Sequence, residues 1–169
     1  MTMPLMGGGL LSTFIPSWGY MVEHGGTTIW ERWDGWVEGR GLGNPGMNSF
    51  NHYAIGAVGE WVYRMVGGLN PDPDSPGWKH FNLRPIQGGG LTWAQATYDS
   101  IRGRIRCHWE QNESALMVEI EVHTSATVWV PADRNSPITE SGQPAEDSPG
   151  VSVEDCRDGC AVFRIGSGT

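Results

Sequence analysis

The chain has 169 residues, and its 11 lysines and arginines against 19 aspartates and glutamates give a net charge of −8 at pH 7 and an isoelectric point near 5.0. This charge balance offers no basic patch to neutralise phosphates, which argues against nucleic acid or an anionic membrane surface as a partner. No apolar run approaches the roughly 20 residues that a bilayer-spanning helix needs, so no membrane segment is predicted.

Residues 1–9 have no hydrophobic periodicity, and their run of three glycines is typical of a cloning scar or a truncation boundary. They also lack the positively charged residues that precede the apolar core of a signal peptide. We therefore leave them out of the predicted fold.

The region from residue 18 to residue 36 is rich in tryptophan and carries one glutamate among the rings. Glu31 is surrounded in sequence by Trp30, Trp33 and Trp36. A tryptophan offers a flat apolar face to a sugar ring and one N–H donor, and a carboxylate among such rings is shielded from water, as general acid or base catalysis requires. The pattern suggests a carbohydrate site, with a hydrophobic core as the alternative for the aromatic cluster.

The next predicted element is a helix over residues 49–66, with Asn48 or Ser49 as its N-cap and Gly67-Gly68 as its end. Its apolar residues recur at steps of three and four, which predicts one stripe facing a core. The stripe consists of Ile55, Val58, Val62 and Met65.

Three prolines between residues 70 and 77 predict a linker that divides the chain near residue 76. Beyond it, alternating apolar and polar residues predict an antiparallel sheet with one wet face, and Asn112 is placed in a hairpin turn. We predict a surface loop over 132–149 and strands over 78–86, 91–99, 101–111, 115–124, 126–131, 151–155 and 161–165.

Several separate runs of the chain, in their order along it, resemble bacterial α-L-rhamnosidases. These runs are residues 16–26, 27–36, 47–56, 81–85 and 98–105 together with Trp109. That family consists of inverting glycoside hydrolases with an (α/α)6 barrel followed by a β-sandwich. The resemblance implies an α+β fold, in which a short helical and loop segment from the end of the barrel precedes an antiparallel β-sandwich.

The same resemblance implies where the domains lie. We expect the C-terminal part of the barrel domain over residues 10–76 and the β-sandwich over 77–169, with 1–9 outside both. Because a complete barrel needs far more residues than this chain has, the chain is expected to be a C-terminal fragment that needs the missing N-terminal part of the same enzyme.

An inverting glycosidase uses one carboxylic acid to protonate the leaving oxygen and one carboxylate to activate water. By the resemblance, Glu31 matches the family's general base and His52 its sugar-binding histidine, whereas the general acid is expected outside this chain. Glu31 also ranks first among the acids here on its aromatic surroundings alone. The alternative for Glu31 is a salt bridge to Arg32 or another arginine.

The remaining site predictions concern side chains beside Glu31. Trp30, Trp33 and Trp36 are expected to shape a rhamnose subsite, with at least one of them in the core. Asp34 is expected to orient Arg32 or to bind a sugar hydroxyl. In the sandwich, three tryptophans are predicted to be core rather than a second sugar platform, namely Trp93, Trp109 and Trp129.

The three cysteines cannot all pair within the chain, so free thiols in a reducing cytoplasm are the simplest interpretation. A Cys156–Cys160 disulfide is the alternative in an oxidising compartment, which the protein would reach if a missing N-terminus carried a signal peptide. Neither a metal site nor a cofactor is expected from the spacing of histidines and cysteines.

Two functional classes remain open. The first is the C-terminal portion of an enzyme that releases terminal α-L-rhamnose from rhamnose-containing glycosides, and the second is a non-catalytic carbohydrate-binding or interaction module. As a fragment, the chain would expose the predicted apolar stripe. We therefore expect a twofold homodimer with contacts centred on residues 10–66.

Overall fold

The computed structural model describes residues 17–133 and 135–168, so the segment 1–9 lies outside the described residues. The chain forms two compact units. Among the described residues, the first unit holds 17–61 and Gly88–Leu91, and the second holds Val62–Gln87 and 92–168. Within the described residues, no helix has the length and apolar character needed to cross a membrane.

The first unit is built from short elements joined by turns. Helix α1 is capped by Ser17, whose side-chain oxygen accepts a hydrogen bond from the Tyr20 backbone N–H at 3.0 Å. Strands β1 and β2 form a two-stranded antiparallel ribbon. The elements are α1 (Trp18–Glu23), β1 (Trp36–Val37), β2 (Gly41–Leu42), a 3-10 turn (Pro45–Met47) and α2 (Val58–Trp61).

Aromatic side chains form the core of the first unit. Its buried residues are Tyr20, Met21 and Trp30, and the ring of Trp30 meets that of Phe50 edge to face at 5.1 Å. The partly buried side chains around them are Trp18, Trp33, Trp36, Phe50 and Ile55. The prediction that at least one of the three tryptophans beside Glu31 is core is confirmed by Trp30.

The predicted helix over residues 49–66 is wrong. Residues 49–57 form bends and turns, and helical structure is limited to α2 and the π-helical turn Val62–Val66 that follows it. The four apolar residues predicted to form a stripe therefore do not lie along one helix. Two glycines, Gly56 and Gly59, lower the helix propensity of this segment, at a cost of about 1 kcal/mol each against alanine.

The predicted N-cap residues Asn48 and Ser49 bond to distant segments, although the Ser49 hydroxyl also accepts the Asn51 N–H at 3.2 Å. The Asn48 side-chain amide donates to the Gly35 carbonyl at 2.8 Å, and the Ser49 backbone N–H donates to Oε2 of Glu31 at 2.8 Å. These bonds come from residues far away in sequence. Such tertiary contacts override the local capping signal, which is the physical reason for the correction.

The second unit consists of two sheets. Its strands are β3 (Leu69–Pro71), β4 (His80–Leu83), β5 (Trp93–Ser100), β6 (Gly103–Gln111), β7 (Leu116–Glu121), β8 (Ser125–Pro131), β9 (Thr139–Glu140), β10 (Gln143–Pro144), β11 (Val151–Arg157) and β12 (Cys160–Ile165). The five-stranded sheet has the strand order β11-β12-β8-β4-β3, and the three-stranded sheet has the order β5-β6-β7. In both sheets, all neighbouring strands are antiparallel except the parallel pair β4 and β8.

One hydrophobic core joins the two sheets of the second unit. It combines Phe81 and Leu83 of the five-stranded sheet with Ile105 and Cys107 of the three-stranded sheet. The fold class predicted from the sequence, a short helical and loop segment followed by an antiparallel sandwich, is thereby confirmed.

Residues 62–87 belong to the second unit, although the sequence predicted the division near residue 76. Two hydrogen bonds explain this: the Trp109 indole N–H donates to the Val66 carbonyl at 2.8 Å, and the Ile86 N–H donates to the Met65 carbonyl at 2.7 Å. The proline-rich linker also begins within strand β3. A proline without an N–H is tolerated there because β3 is an edge strand.

Each of the seven predicted strands overlaps an observed strand. The elements that the sequence did not predict are short: β3, the β1–β2 ribbon, and the β9–β10 pair within the predicted loop 132–149. The predicted turn at Asn112 is confirmed, since its side-chain oxygen accepts hydrogen bonds from the Ser114 and Ala115 backbone N–H groups at 2.9 Å each.

The three sandwich tryptophans do not share one environment. Trp109 is fully buried, as predicted, but Trp93 is 61% exposed, so its assignment to the core is wrong. Ala94 pairs with Trp109, and because successive strand residues face opposite sides, Trp93 lies on the outer face. Trp129 is only partly buried and lies between the guanidinium groups of Arg84 and Arg157, at 4.4 and 4.9 Å.

All three cysteines are free thiols. Cys156 lies opposite Ala161 and Cys160 lies opposite Arg157, so the side chains of Cys156 and Cys160 point to opposite faces of the sheet. A disulfide between them would need backbone movement. Location in the cytoplasm stays a prediction.

Candidate active site

Two segments that are distant in sequence lie side by side around Glu31. The Glu31 N–H donates to the Ser49 carbonyl at 2.8 Å, and the His52 N–H donates to the Ile29 carbonyl at 2.8 Å. The Thr28 hydroxyl donates to the Phe50 carbonyl as well. These bonds bring Glu31 and His52, the predicted base and the predicted sugar-binding histidine, onto adjacent segments of the first unit.

The carboxylate of Glu31 is oriented by one backbone donor. Its Oε2 accepts the Ser49 N–H at 2.8 Å in a charge-assisted hydrogen bond. The Ser49 carbonyl in turn accepts the Glu31 N–H. Within the described part of the chain, Oε1 has no hydrogen-bond partner. The residue is half-buried, so this second oxygen can receive a proton from a water molecule.

Arg32 does not pair with Glu31, which was the alternative considered for the glutamate. Its Nε donates to Oδ1 of Asp34 at 3.0 Å. Asp34 therefore takes the first of its two predicted roles, the orientation of Arg32. Glu31 therefore hydrogen-bonds to the Ser49 backbone and does not pair with Arg32.

Asp34 binds a second arginine that the sequence analysis missed. Arg40 donates to Oδ2 of Asp34 at 3.1 Å and to the Asp34 carbonyl at 2.8 Å. The hydrogen bond from Arg32 and then that from Arg40 lower the pKa of Asp34 below its ordinary value. Asp34 is thus held as a carboxylate, unsuited to donate a proton. Arg40 lies in the turn between β1 and β2, and strand β1 separates it in sequence from Asp34.

The three tryptophans near Glu31 differ in how much of each ring a ligand can reach. Trp30 is 4% exposed, so it supports the site from the core rather than stacking on a sugar. Trp33 meets Trp18 edge to face at 4.8 Å, and Trp36 lies 5.1 Å from the His24 ring. Both are only partly buried. Trp33 and Trp36 therefore have more ring surface accessible to a ligand than Trp30, and the aromatic subsite stays a prediction.

His52 is half-buried and has a defined tautomer. Its Nδ1 accepts the Ala54 N–H at 3.0 Å, and its ring stacks on the exposed Tyr53 ring at 4.9 Å. An accepting Nδ1 places the proton of a neutral imidazole on Nε2. Nε2 is then a donor suited to a hydroxyl group.

A cavity of about 290 Å³ lies beside this region, and neither Glu31 nor His52 lines it. It is lined by His24, Gly25, Gly26, Thr27, Thr28, Trp30, Trp36 and Phe50. The structure thus brings Trp36 to a concave surface of the first unit but leaves the carboxylate outside it.

Asn48 is a structural part of the site that the sequence analysis assigned to a helix cap. Its amide holds the Gly35 carbonyl, and its side-chain oxygen is buried without a hydrogen-bond partner in the described part of the chain. A Cβ at residue 35 would lie only 2.6 Å from that oxygen. Gly35, directly before Trp36, is the sequence signal for this close approach.

The arrangement can accept a proton and donate hydrogen bonds, but it has one available carboxylate. Among residues 17–133 and 135–168, no cluster of three or more histidine, cysteine, aspartate or glutamate side chains could hold a metal ion. Glu31 can deprotonate water and His52 can bind a hydroxyl, while the carboxylate of Asp34 is occupied by two arginines.

Two protein-family models match the chain in succession. The first, bacterial alpha-L-rhamnosidase 6 hairpin glycosidase domain, matches residues 6–66, and the second, bacterial alpha-L-rhamnosidase C-terminal domain, matches residues 68–145. The chain belongs to the bacterial α-L-rhamnosidase family. The resemblance inferred from the sequence is thereby confirmed.

The similar rhamnosidases are much longer than this chain. An alpha-L-rhamnosidase of Streptomyces avermitilis is 40% identical over 156 residues, which are 91% of this chain and 14% of that protein. One of Formosa agariphila is 38% identical over 128 residues, 75% of this chain and again 14% of the relative.

Solved structures agree with this relationship. A crystal structure of the Streptomyces avermitilis α-L-rhamnosidase complexed with L-rhamnose has a TM-score of 0.79 at 39% identity and covers 94% of this chain and 15% of its own. The crystal structure of the rhamnosidase from Aspergillus terreus has a TM-score of 0.69 at 34% identity, covering 92% and 15%.

Proposed function

We propose that this chain serves as the C-terminal portion of a glycoside hydrolase that releases terminal α-L-rhamnose by inverting hydrolysis, with Glu31 as the general base. The observation that carries the proposal is the pair of hydrogen bonds between Glu31 and Ser49. The bond to Oε2 orients the carboxylate, and Oε1 accepts no hydrogen bond from the described residues.

In this mechanism, Oε1 of Glu31 takes a proton from a water molecule. The water oxygen attacks the anomeric carbon from the face opposite the leaving group, and the glycosidic bond breaks. An acid supplied by the rest of the enzyme protonates the leaving oxygen, at the separation of about 6.5–9.5 Å that an inverting pair requires. The released rhamnose therefore has the opposite anomeric configuration.

The neighbours of Glu31 bind and position the sugar. The Nε2–H of His52 donates to a rhamnose hydroxyl, and the accessible parts of Trp33 and Trp36 contact the apolar C5-methyl of the 6-deoxy sugar. Asp34 keeps Arg32 and Arg40 in place, which shapes the turn carrying Trp36. Rhamnose-containing glycosides are the substrates, and the N-terminal remainder of the enzyme is the required partner.

The substitution Glu31→Gln tests the proposal in the enzyme joined to that remainder. An amide oxygen still accepts the Ser49 N–H, so the fold is kept while the base is lost. We expect hydrolysis of an aryl α-L-rhamnoside to fall by about 10²–10⁴-fold, the usual contribution of a general base, chiefly in kcat.

Glu38→Gln is the matched control, because Glu38 lies in the same unit with a side chain that is 83% exposed. It should retain the parent activity. Near-normal turnover by Glu31→Gln would show that another group activates the water.

We further propose that the isolated chain self-associates as a twofold dimer through the first unit. The predicted helical stripe does not form, but large apolar side chains of this unit are exposed, including Tyr53 at 86%. The others are Val22, Leu42, Met47 and Trp61. Light scattering at micromolar concentration should give twice 18.5 kDa. A mass of one chain, unchanged on concentration, would contradict this proposal.

A further inference from the structure

We propose that the outer face of the three-stranded sheet, centred on Trp93, is a second saccharide-binding surface for a neutral glycan. The outer face is defined by the residues of β5, β6 and β7 that point away from the core shared by the two sheets. They form cross-strand rows: Trp93, Glu110 and Met117; Gln95, His108 and Glu119; Thr97, Arg106 and Glu121; Asp99 and Arg104.

Trp93 supplies the apolar platform of this outer face. It is 61% exposed, although a tryptophan gains more from burial than most side chains. Its ring lies 6.3 Å from that of His108 at an interplanar angle of 77°, which fixes it beside a polar neighbour.

Within the described part of the chain, the indole N–H of Trp93 has no acceptor, unlike the indole N–H groups of three other tryptophans. Trp18, Trp109 and Trp129 donate to Ile55, Val66 and Asn82, respectively. The Trp93 N–H donates to none of the described residues. An exposed ring with an available donor is the pairing that suits a sugar, which has an apolar ring face and hydroxyl groups.

A network of polar side chains lies next to this platform. Arg106 donates to the Gln95 side-chain oxygen at 3.2 Å and to Glu119 at 3.3 Å, and His108 lies 3.4 Å from the same Glu119 oxygen. The network holds Gln95, His108 and Glu119 in one row, where their remaining donors and acceptors face solvent. Strand geometry spaces this row about 7 Å from Trp93, close to the size of one sugar ring.

The charges on this outer face favour a neutral ligand. Its arginines pair with carboxylates, as in Arg104 with Asp99 at 2.8 Å and Arg106 with Glu119 at 3.3 Å. Carboxylates such as Glu110 outnumber the arginines, which disfavours nucleic acid and acidic polysaccharides. Carboxylate oxygens do accept hydrogen bonds from hydroxyl groups, so the surface complements a polyhydroxylated ligand.

The choice of rhamnose as the sugar rests on the proposed function, whereas the surface itself rests on Trp93 and its polar neighbours. A second glycan-binding surface on the same chain would tether a polymer bearing rhamnose side chains to the enzyme and raise its effective concentration there.

Affinity electrophoresis and isothermal titration calorimetry with rhamnan, a neutral polymer of L-rhamnose, test the inference on the 169-residue chain. We expect the chain to bind rhamnan but not polygalacturonate. Trp93→Ala should weaken rhamnan binding about tenfold, the loss typical of one central aromatic contact, and Trp93→Tyr should restore part of it.

Ile101→Ala is the matched control, because Ile101 is 87% exposed in the turn of the same β5–β6 hairpin but lies outside the outer face. It should bind as the parent does. Equal affinity of the parent and Trp93→Ala, equal losses in both variants, or no binding by the parent would each overturn the inference. So would conversion of a dimer to a monomer by Trp93→Ala, since the outer face would then contact a second copy.

Glu31→Gln separates this inference from the proposed function. It should leave rhamnan binding by the 169-residue chain unchanged, since Glu31 is not part of the outer face. If Glu31→Gln kept full hydrolysis in the joined enzyme while Trp93→Ala still weakened rhamnan binding, the catalytic proposal would fail and the binding surface would stand.

Discussion

The first unit packs aromatic rings against one another around Trp30, whereas the second packs mainly aliphatic side chains between two sheets. Elements of the first unit are two to six residues long, while the main strands of the second reach nine residues. A ladder of backbone hydrogen bonds is therefore available to the second unit but scarcely to the first.

The first unit compensates with side chains that bind the backbone of distant segments. Asn48 binds Gly35, Glu31 binds Ser49, and Trp18 binds Ile55. Loops that are held by such bonds present their other polar side chains at defined positions. Binding and catalytic residues are often found on loops held by a rigid support for this reason. The candidate base therefore belongs to the irregular unit, whereas the regular unit offers a flat surface.

The largest expected effect concerns activity of the chain alone. The first unit contains Glu31, the proposed base, but its Asp34 carboxylate is held by two arginines. Without an acid to protonate the leaving oxygen, half of the inverting reaction is unassisted. We expect no measurable rhamnosidase activity from a homogeneous preparation assayed with an aryl α-L-rhamnoside.

The same chain co-expressed with the N-terminal remainder is the positive control for that assay. Clear turnover by the chain alone would place an acid within it. Glu23, Asp34 and Glu38 would then be the first residues to substitute.

The next effect tests the dependence of the second unit on its core. Trp109 is fully buried and donates to the Val66 carbonyl, so Trp109→Ala leaves a cavity and an unpaired acceptor. A loss of about 3–5 kcal/mol in the free energy of unfolding is expected. Urea unfolding followed by circular dichroism measures it. Trp93→Ala, on the same hairpin but exposed, should change stability by no more than about 0.5 kcal/mol.

The smallest effect concerns the buried thiol of Cys107. Burial raises its pKa from 9.0 to about 12. In the unfolded chain the thiol loses its proton near pH 9, while in the folded chain it keeps it. The contribution of Cys107 to the free energy of unfolding is therefore fully present below pH 9. It falls by about 1.4 kcal/mol per pH unit as the pH rises toward 12.

Denaturant unfolding of the parent and of Cys107→Ala between pH 8 and 11 isolates this contribution. The difference in free energy between the two proteins should shrink as the pH rises. A difference that stays constant would mean that the thiol is not shielded from water in the folded state.

Local patterns in the sequence were sufficient to predict the sandwich strands, and they also single out Glu31, whose role as a base stays a prediction. Alternation of apolar and polar residues is a property of a strand itself, so all seven predicted strands overlap an observed one. The family resemblance likewise depends on short runs, and it placed Glu31 and His52 on segments that the fold brings together.

Other features were decided by contacts between distant residues. Residues 49–57 form bends and turns, in which Ser49 and His52 bond to Glu31 and Ile29. Trp93 is exposed while Trp109 is buried because strand register turns them to opposite faces. Periodicity reports which residues share a face of an element, whereas only the packed tertiary structure determines which face meets the core and which donor finds which acceptor.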